Sequence, residues 1–278
     1  MAATRTAKGT AAEKTSGSTL VIPSVAIESN ACLLIGIGFD QSQGAPSVQW
    51  GNVSVSKIRN RLDAVSGIGT ALYIRPLVWN GRTADIVATW PAAIGARSMC
   101  AIQWTGPIIE DIGSNNIQTP NTNANSGFTG SPNYDHCFNW CIHSSAGPVE
   151  DTAGTIESDY GYVMGQRVGT TGGGLDVTIQ ETFRYYETGA VDSRSRMTGA
   201  TLRAWVSCLT VLRKHTQLNQ GITPSDVHAC ENAFELSALD SMNMVWAFNE
   251  ALDRWEVFDI SRASLPSPIA HNNNGWAI

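Results

Sequence analysis

Apolar and polar residues alternate with a period of two along much of the chain, the pattern of β-strands. In Ala31–Phe39 the odd positions Ala31, Leu33, Ile35, Ile37 and Phe39 form a continuous apolar face. From Leu175 to Tyr186, the residues Leu175, Val177, Ile179, Phe183 and Tyr185 alternate with Asp176, Thr178, Gln180, Thr182 and Arg184. From Thr201 to Leu212 the even positions Leu202, Ala204, Val206, Cys208 and Leu212 are apolar, interrupted only by Thr210. This alternation predicts half-buried strands of an antiparallel sheet with one face in water. Further strands are predicted at Thr19–Ile22, Val48–Trp50, Val53–Ile58, Leu72–Trp79, Ile86–Trp90, Met99–Trp104, Cys137–His143 and Tyr160–Met164. Asn80-Gly81, between two of these runs, supplies the positive φ angles of a tight hairpin turn. Pro76 inside its run cannot donate to a ladder and predicts an edge position. About ten strands with short links give an all-β fold, an antiparallel, jelly-roll-like β-sandwich.

The pattern changes in three places. Gly113 to Tyr134 is almost free of apolar residues and predicts a structureless surface or partner-contact loop, since links of roughly twenty residues are commonly functional or disordered. Thr223-Pro224-Ser225-Asp226 resembles a helix start, followed by Val227, Cys230 and Phe234 at helical spacing. Met244–Phe248 and Trp255–Ile260 flank a polar turn and predict a β-hairpin, before an extended, polar end. The expected organisation is an N-terminal arm (1–16), a sandwich domain (17–213) and a C-terminal extension (214–278) with a short helix and the hairpin. No internal repeat is visible in the residue identities.

Composition narrows the function. Only 15% of residues are charged and the net charge is −6, which argues against a nucleic-acid partner requiring a basic surface. No apolar run approaches the ~20 residues needed to span a bilayer, so membrane insertion is not expected. The N-terminal residues have no hydrophobic core of a signal peptide; they form a small, mildly basic stretch carrying Arg5, Lys8 and Lys14. The six cysteines are widely spread and mostly lie in apolar strands, as buried free thiols of a protein made in a reducing cytosol do.

Candidate chemistry is sparse. His136-Cys137-Phe138-Asn139-Trp140-Cys141-Ile142-His143 has the residue types of a zinc site. In a strand, however, Cys137 and Cys141 stand about 13 Å apart at ~3.3 Å per residue, too far to share a metal or a disulfide. The expected reading is a core strand with Phe138, Trp140 and Ile142 inward. No Gly-x-Ser-x-Gly elbow is present. Gly169–Gly174 lacks the lysine and helix of a phosphate loop and reads as a turn. The expectation is no catalytic residue, no metal site and no cofactor. Trp50, Trp79, Trp90, Trp104, Trp140 and Trp205 are expected in the core. Partner contacts are expected at Arg5, Lys8 and Lys14 of the arm, at Asn115, Asn116 and Thr122 of the loop, and at Trp246, Trp255 and Trp276, because exposed tryptophans commonly anchor interfaces.

Residues from about Ala7 to Arg213 resemble a β-sandwich family of phage structural proteins and bacterial surface proteins. Gly9-Thr10, Thr15-Ser16-Gly17 and Leu20-Val21-Ile22 are similar to its opening strand, and Ala31-Cys32-Leu33-Leu34-Ile35-Gly36-Ile37 to its next apolar strand. Val48-Gln49-Trp50-Gly51-Asn52 resembles its V-x-W-G turn, and Trp104-Thr105-Gly106 its closing step. The resemblance implies a noncatalytic virion protein, either a capsid decoration (cement) protein or a tail or fibre component, assembled in the host cytoplasm. Its implied partners are other virion proteins and further copies of itself in a symmetric homo-oligomer such as a trimer, with a host-surface glycan as the alternative ligand. The segment after Arg213 departs from the family's pattern.

Overall fold

The computed structural model describes residues 4–78, 81–106, 108–121, 123–127, 129, 136–149, 155–159, 161–185, 193–198, 202–214, 244–249 and 254–259. The chain divides into two compact units, Met1–Lys214 and His215–Ile278. Among the described residues it is all-β, and every pairing is antiparallel.

The first half of unit 1 runs through β1 (Arg5–Glu13), β2 (Gly17–Ile27), β3 (Ala31–Asp40), β4 (Ser47–Trp50), β5 (Val53–Ser54), β6 (Ser56–Asp63), β7 (Ile68–Val78), β8 (Arg82–Ile94) and β9 (Arg97–Thr105). It pairs like one long, rolled hairpin: β1 with β9, β2 with β8, β3 with β7 and β4 with β5. Successive pairs alternate between two sheets, one ordered β1-β9-β3-β7-β6 and the other β2-β8-β4-β5.

The second half comprises β10 (Ile108–Asn121), β11 (Asn123–Asn125), β12 (His136–Ala146), β13 (Thr155–Asp159), β14 (Val163–Gly169), β15 (Val177–Tyr185), β16 (Arg194–Thr198) and β17 (Arg203–Lys214). Its sheets are ordered β10-β17-β12-β15-β14 and β11-β16-β13. Apart from the two-residue β5, which has no counterpart, this is element by element the order of the first half. The repeat that residue identities conceal is therefore present in the connectivity. The larger sheets of the two halves pack face to face through reciprocal contacts. β1 meets β14 as β10 meets β6, β3 meets β15 as β12 meets β7, and β9 meets β14 as β17 meets β6. Such reciprocity is the mark of an approximate two-fold relation, here within one chain.

The result is four stacked sheets: β2 and β4 of an outer sheet keep one exposed face, whereas β3, β15 and β17, expected to have one, are buried on both. On β3, Leu33, Ile35, Ile37 and Phe39 pack against Leu20, Ile22, Trp50, Ile86 and Trp90 of the first outer sheet. The other face of the same strand, with Cys32 and Leu34, packs on Phe138, Trp140, Ile142 and Ile179 of the second half. A strand dry on both faces reads as a nearly continuous apolar run, as Ala31–Phe39 does. Gly36 and Gly38 continue the second face. A Cβ on Gly36 would lie 2.4 Å from Ile142, and one on Gly38 would lie 2.4 Å from Ile179 and 2.7 Å from Ser144 Oγ. Their missing side chains let the two halves approach.

Other local expectations are also revised. β7 lies between β3 and β6, so Pro76 is not on an edge strand; it sits beyond the end of the β6 pairing, where the β3 register shifts. β7 and β8 belong to different sheets, so the link containing Gly81 is a crossover rather than a hairpin; Asn80 lies outside the described residues. Residues 113–121, expected as loop, belong to β10, which pairs along β17. A sheet-edge strand needs backbone hydrogen bonds more than apolar side chains, and Ile108, Ile112 and Ile117 supply its apolar packing. The segment expected as a free arm contains β1, the edge of a five-stranded sheet.

In unit 2, β18 (Met244–Asn249) and β19 (Arg254–Asp259) pair with Trp246 opposite Val257 and Trp255 opposite Phe248. The helix expected from Thr223 lies outside the described residues.

Candidate functional site

Among the described residues of unit 1, the expected contact residues do not come together. Arg5 and Lys14 are both engaged within the chain, as described below, and Lys8 is the extra residue at a register shift in β1. Asn115, opposite Cys208 on β10, is exposed, whereas Asn116 is half-buried and accepts the backbone N–H of Ile117 through its own Oδ1 at 2.9 Å. Trp246 and Trp255 occupy the paired strands of unit 2; Thr122 and Trp276 lie outside the described residues. Of the six tryptophans expected in the core, Trp50, Trp90, Trp104, Trp140 and Trp205 are buried, and Trp79 is outside the described residues.

What sequence reasoning missed is a pair of ionic ties from the N-terminus to the second half. Glu181 of β15 is fully buried. Arg5 donates to it through Nε (2.8 Å) and through Nη2, and the Trp140 Nε1 (3.1 Å) and Gln166 backbone N–H (2.8 Å) complete its shell. The Arg5 guanidinium also stacks 4.5 Å from the Phe183 ring centre. Nine residues on, Lys14 Nζ donates to Asp176 Oδ1 at 2.6 Å and to the Leu175 carbonyl. Burial disfavours the Asp176 carboxylate, but hydrogen bonds from Lys14, Thr170 and the Gly173 N–H outweigh it and hold the pKa below the ordinary carboxylate value. β1 is thus an edge strand of the first half and an ionic clasp on the second. Charge alternating with small residues in RTAKGTAAE is also what a solvated tail contains, so no sequence signal separates the two.

The outer face of the second half's large sheet carries a buried polar layer. His143 on β12 is fully buried. Its Nδ1 is 2.7 Å from Ser207 Oγ, and its Nε2 is 3.1 Å from Ser193 Oγ, which lies 2.7 Å from Thr182 Oγ1. Ser126 binds the Ser193 backbone N–H at 2.9 Å and closes the layer. The serine–histidine contacts resemble part of a nucleophile–base pair. Here, though, the groups are enclosed, and the imidazole meets hydroxyls and the Cys141 thiol. Burial pushes the imidazole pKa down from 6.5 to about 3, so it is a neutral structural linker at neutral pH.

This depression has a sign. Between pH ~6.5 and ~3 the unfolded chain binds a proton that the folded chain refuses, so stability falls by about 1.4 kcal/mol per pH unit on acidification. About 2 kcal/mol is expected to be lost by pH 5, with full stability above pH ~6.5. Asp63 and Asp176 act in a separate, lower window. Their depressed pKa values contribute stability above pH ~4 that is lost as pH falls through the folded values. Denaturant titrations at pH 7 and 5 check this. His143→Gln should flatten the pH 5–6.5 slope, and an unchanged slope would place its origin elsewhere.

On β12, Phe138, Trp140 and Ile142 are buried against the first half, as expected. Cys141 and His143 lie on the opposite, also buried, face with sulfur and Nδ1 3.9 Å apart. Among the described residues no cluster of three metal-ligating side chains occurs, and no helix is long and apolar enough to cross a membrane. Cys32, Cys100, Cys141 and Cys208 are buried thiols outside any disulfide. No family model, curated protein or solved structure matches the chain.

Proposed function

We propose that this protein is a noncatalytic structural component of a phage particle, most readily a capsid decoration or cement protein, built from two stacked jelly-roll modules. The observation that carries this reading is the duplicated order of strands, each half rolled as nested antiparallel pairs. Eight-stranded rolls of this kind recur in viral capsid and lectin domains. The polar groups that would suggest chemistry are used to join layers: Glu181 and Asp176 hold Arg5 and Lys14, and His143 joins the second half's larger sheet to Ser193 beside β16 of its smaller one. Such a body is a rigid spacer, and unit 2 is the part available for an attachment mode of its own. A homo-oligomer on the particle surface follows from the same reading.

Removing residues 215–278 tests it. The shortened chain, compared with the full chain in particles grown without the endogenous protein, is expected to lose most of its incorporation while its pH 7 denaturation midpoint stays close to that of the intact protein. Undiminished incorporation would refute attachment through unit 2. The second reading, a tail or fibre component that binds a host-surface glycan, shares the scaffold and predicts binding of the full chain to host cells.

A further inference from the structure

The two halves differ in what lies between their paired sheets. Gly36 and Ile142 hold equivalent places, opposite Cys100 and Cys208, so the next residues, Ile37 and His143, are equivalent as well. Toward its own smaller sheet β3 presents Leu33, Ile35, Ile37 and Phe39, all members of one apolar core. The matching residues of β12 are Asn139, Cys141, His143 and Ser145, and all four are fully buried. Their cross-strand neighbours are Thr178, Gln180 and Thr182 on β15 and Ser207 on β17. The apolar packing that the described residues show between these two sheets is Ala124 of β11 against Trp205 of β17.

Two features make this layer costly to keep closed. Asn139 makes no hydrogen bond through Oδ1 or Nδ2, and a buried amide without partners is unfavourable until water reaches it. His143 meets only hydroxyls and a thiol: Ser207, Ser193, Thr182 and Cys141. The charged groups along the same face are cations. Arg184 stands opposite Asn139, Arg167 of β14 stands opposite Gln180, and Arg203 donates to Ser145 Oγ at 3.4 Å. In the smaller sheet Glu157 stands opposite Arg196 and Asp159 opposite Arg194. Asp176, just before β15, is tied to Lys14. An imidazolium formed here would have three cations on its face and no carboxylate of its own.

We propose that the second half carries an acid-operated opening, in which protonation of His143 parts the smaller sheet from the larger one and admits water to Asn139 and Cys141. The closed layer holds the imidazole neutral at neutral pH. The open layer lets it take a proton at its ordinary value, so acid favours opening and closure is complete above pH ~6.5. The core of the first half and the core between the halves contain no histidine among their buried residues. The opening stands independently of where in a particle the chain sits.

The test labels the full chain at pH 7 and pH 5 with a disulfide reagent that reacts with thiols in acid. Each cysteine is followed by peptide mass spectrometry, relative to the unfolded chain at the same pH. Cys141 lies in the layer, whereas Cys32, Cys100 and Cys208 lie between the halves and serve as internal controls. Relative labelling of Cys141 should rise about twentyfold from pH 7 to pH 5, the factor given by a pKa of 6.5 in the open form and about 3 in the closed one. The controls should stay protected, and His143→Gln should abolish the rise. If that variant does not fold, the contrast between Cys141 and the controls in the native chain decides alone. Labelling of Cys141 that fails to rise, that rises only together with the controls, or that rises equally in folded His143→Gln would overturn the proposal.

Discussion

Gly38→Val is expected to destabilise unit 1 by about 3 kcal/mol or more, the upper part of the range for overpacking a dense core. The position faces the second half, and even a first added carbon would lie 2.4 Å from Ile179 Cγ2, 2.7 Å from Ser144 Oγ and 3.0 Å from Val177 Cγ1. Those atoms belong to strands β12 and β15, paired with each other in the sheet's interior, so they cannot withdraw without moving the sheet. Ser144 Oγ is also held by Thr70 Oγ1 at 2.6 Å, one of several polar links between the halves. Gly36 offers a complementary test. Gly36→Ala alone should be costly against Ile142 and cheaper when Ile142→Val removes a methyl from the opposing side chain, a coupling that only contacting residues show. Exposed Ser54→Val on β5 should change stability by no more than about 0.5 kcal/mol. If Gly38→Val shifts the denaturation midpoint no more than Ser54→Val does, the two halves do not pack through β3.

Arg5→Met is expected to cost about 3–5 kcal/mol, the usual consequence of removing one partner of a buried ion pair. Glu181 is fully enclosed, and without Arg5 it keeps only the Trp140 and Gln166 donors. The double variant Arg5→Met/Glu181→Leu should recover much of the loss, because it removes the stranded charge as well as the pair. Lys14→Met should cost less, since Lys14 is 29% exposed and its ion pair is partly screened. Chemical denaturation distinguishes these outcomes, and hydrogen exchange should show the amides of β9 that face β1 losing protection first. A loss below about 1 kcal/mol for Arg5→Met would mean that the clasp is a surface contact.

The strands that bury apolar residues were legible because alternation reports burial directly. β2, β3, β4, β7, β8, β9, β12, β15 and β17 all overlap predicted runs. What alternation could not report was the number of layers. Thr178, Gln180 and Thr182 look like a solvated face, yet they are buried under a further sheet and matched by polar neighbours. The same blindness hid β10, whose asparagines satisfy a ladder as well as any residue, and β1, whose small residues suit an edge strand or a tail equally. The repeat escaped because each module shares strand order, not chemistry. Gly36 is paired with Cys100 where the second half pairs Ile142 with Cys208, and glycine and isoleucine there fit into one another across the interface. The contact sites stayed hidden for a related reason: a lone arginine in a sequence carries no sign of whether a carboxylate awaits it in the fold. Arg5 finds Glu181.

The reading of this chain as a particle-surface structural protein is tested most directly by counting it. Quantitative mass spectrometry of purified capsids and purified tails from the same phage preparation should find the chain on capsids, in a fixed ratio to the main shell protein. Its absence from particles, or its confinement to tails, would contradict the capsid assignment.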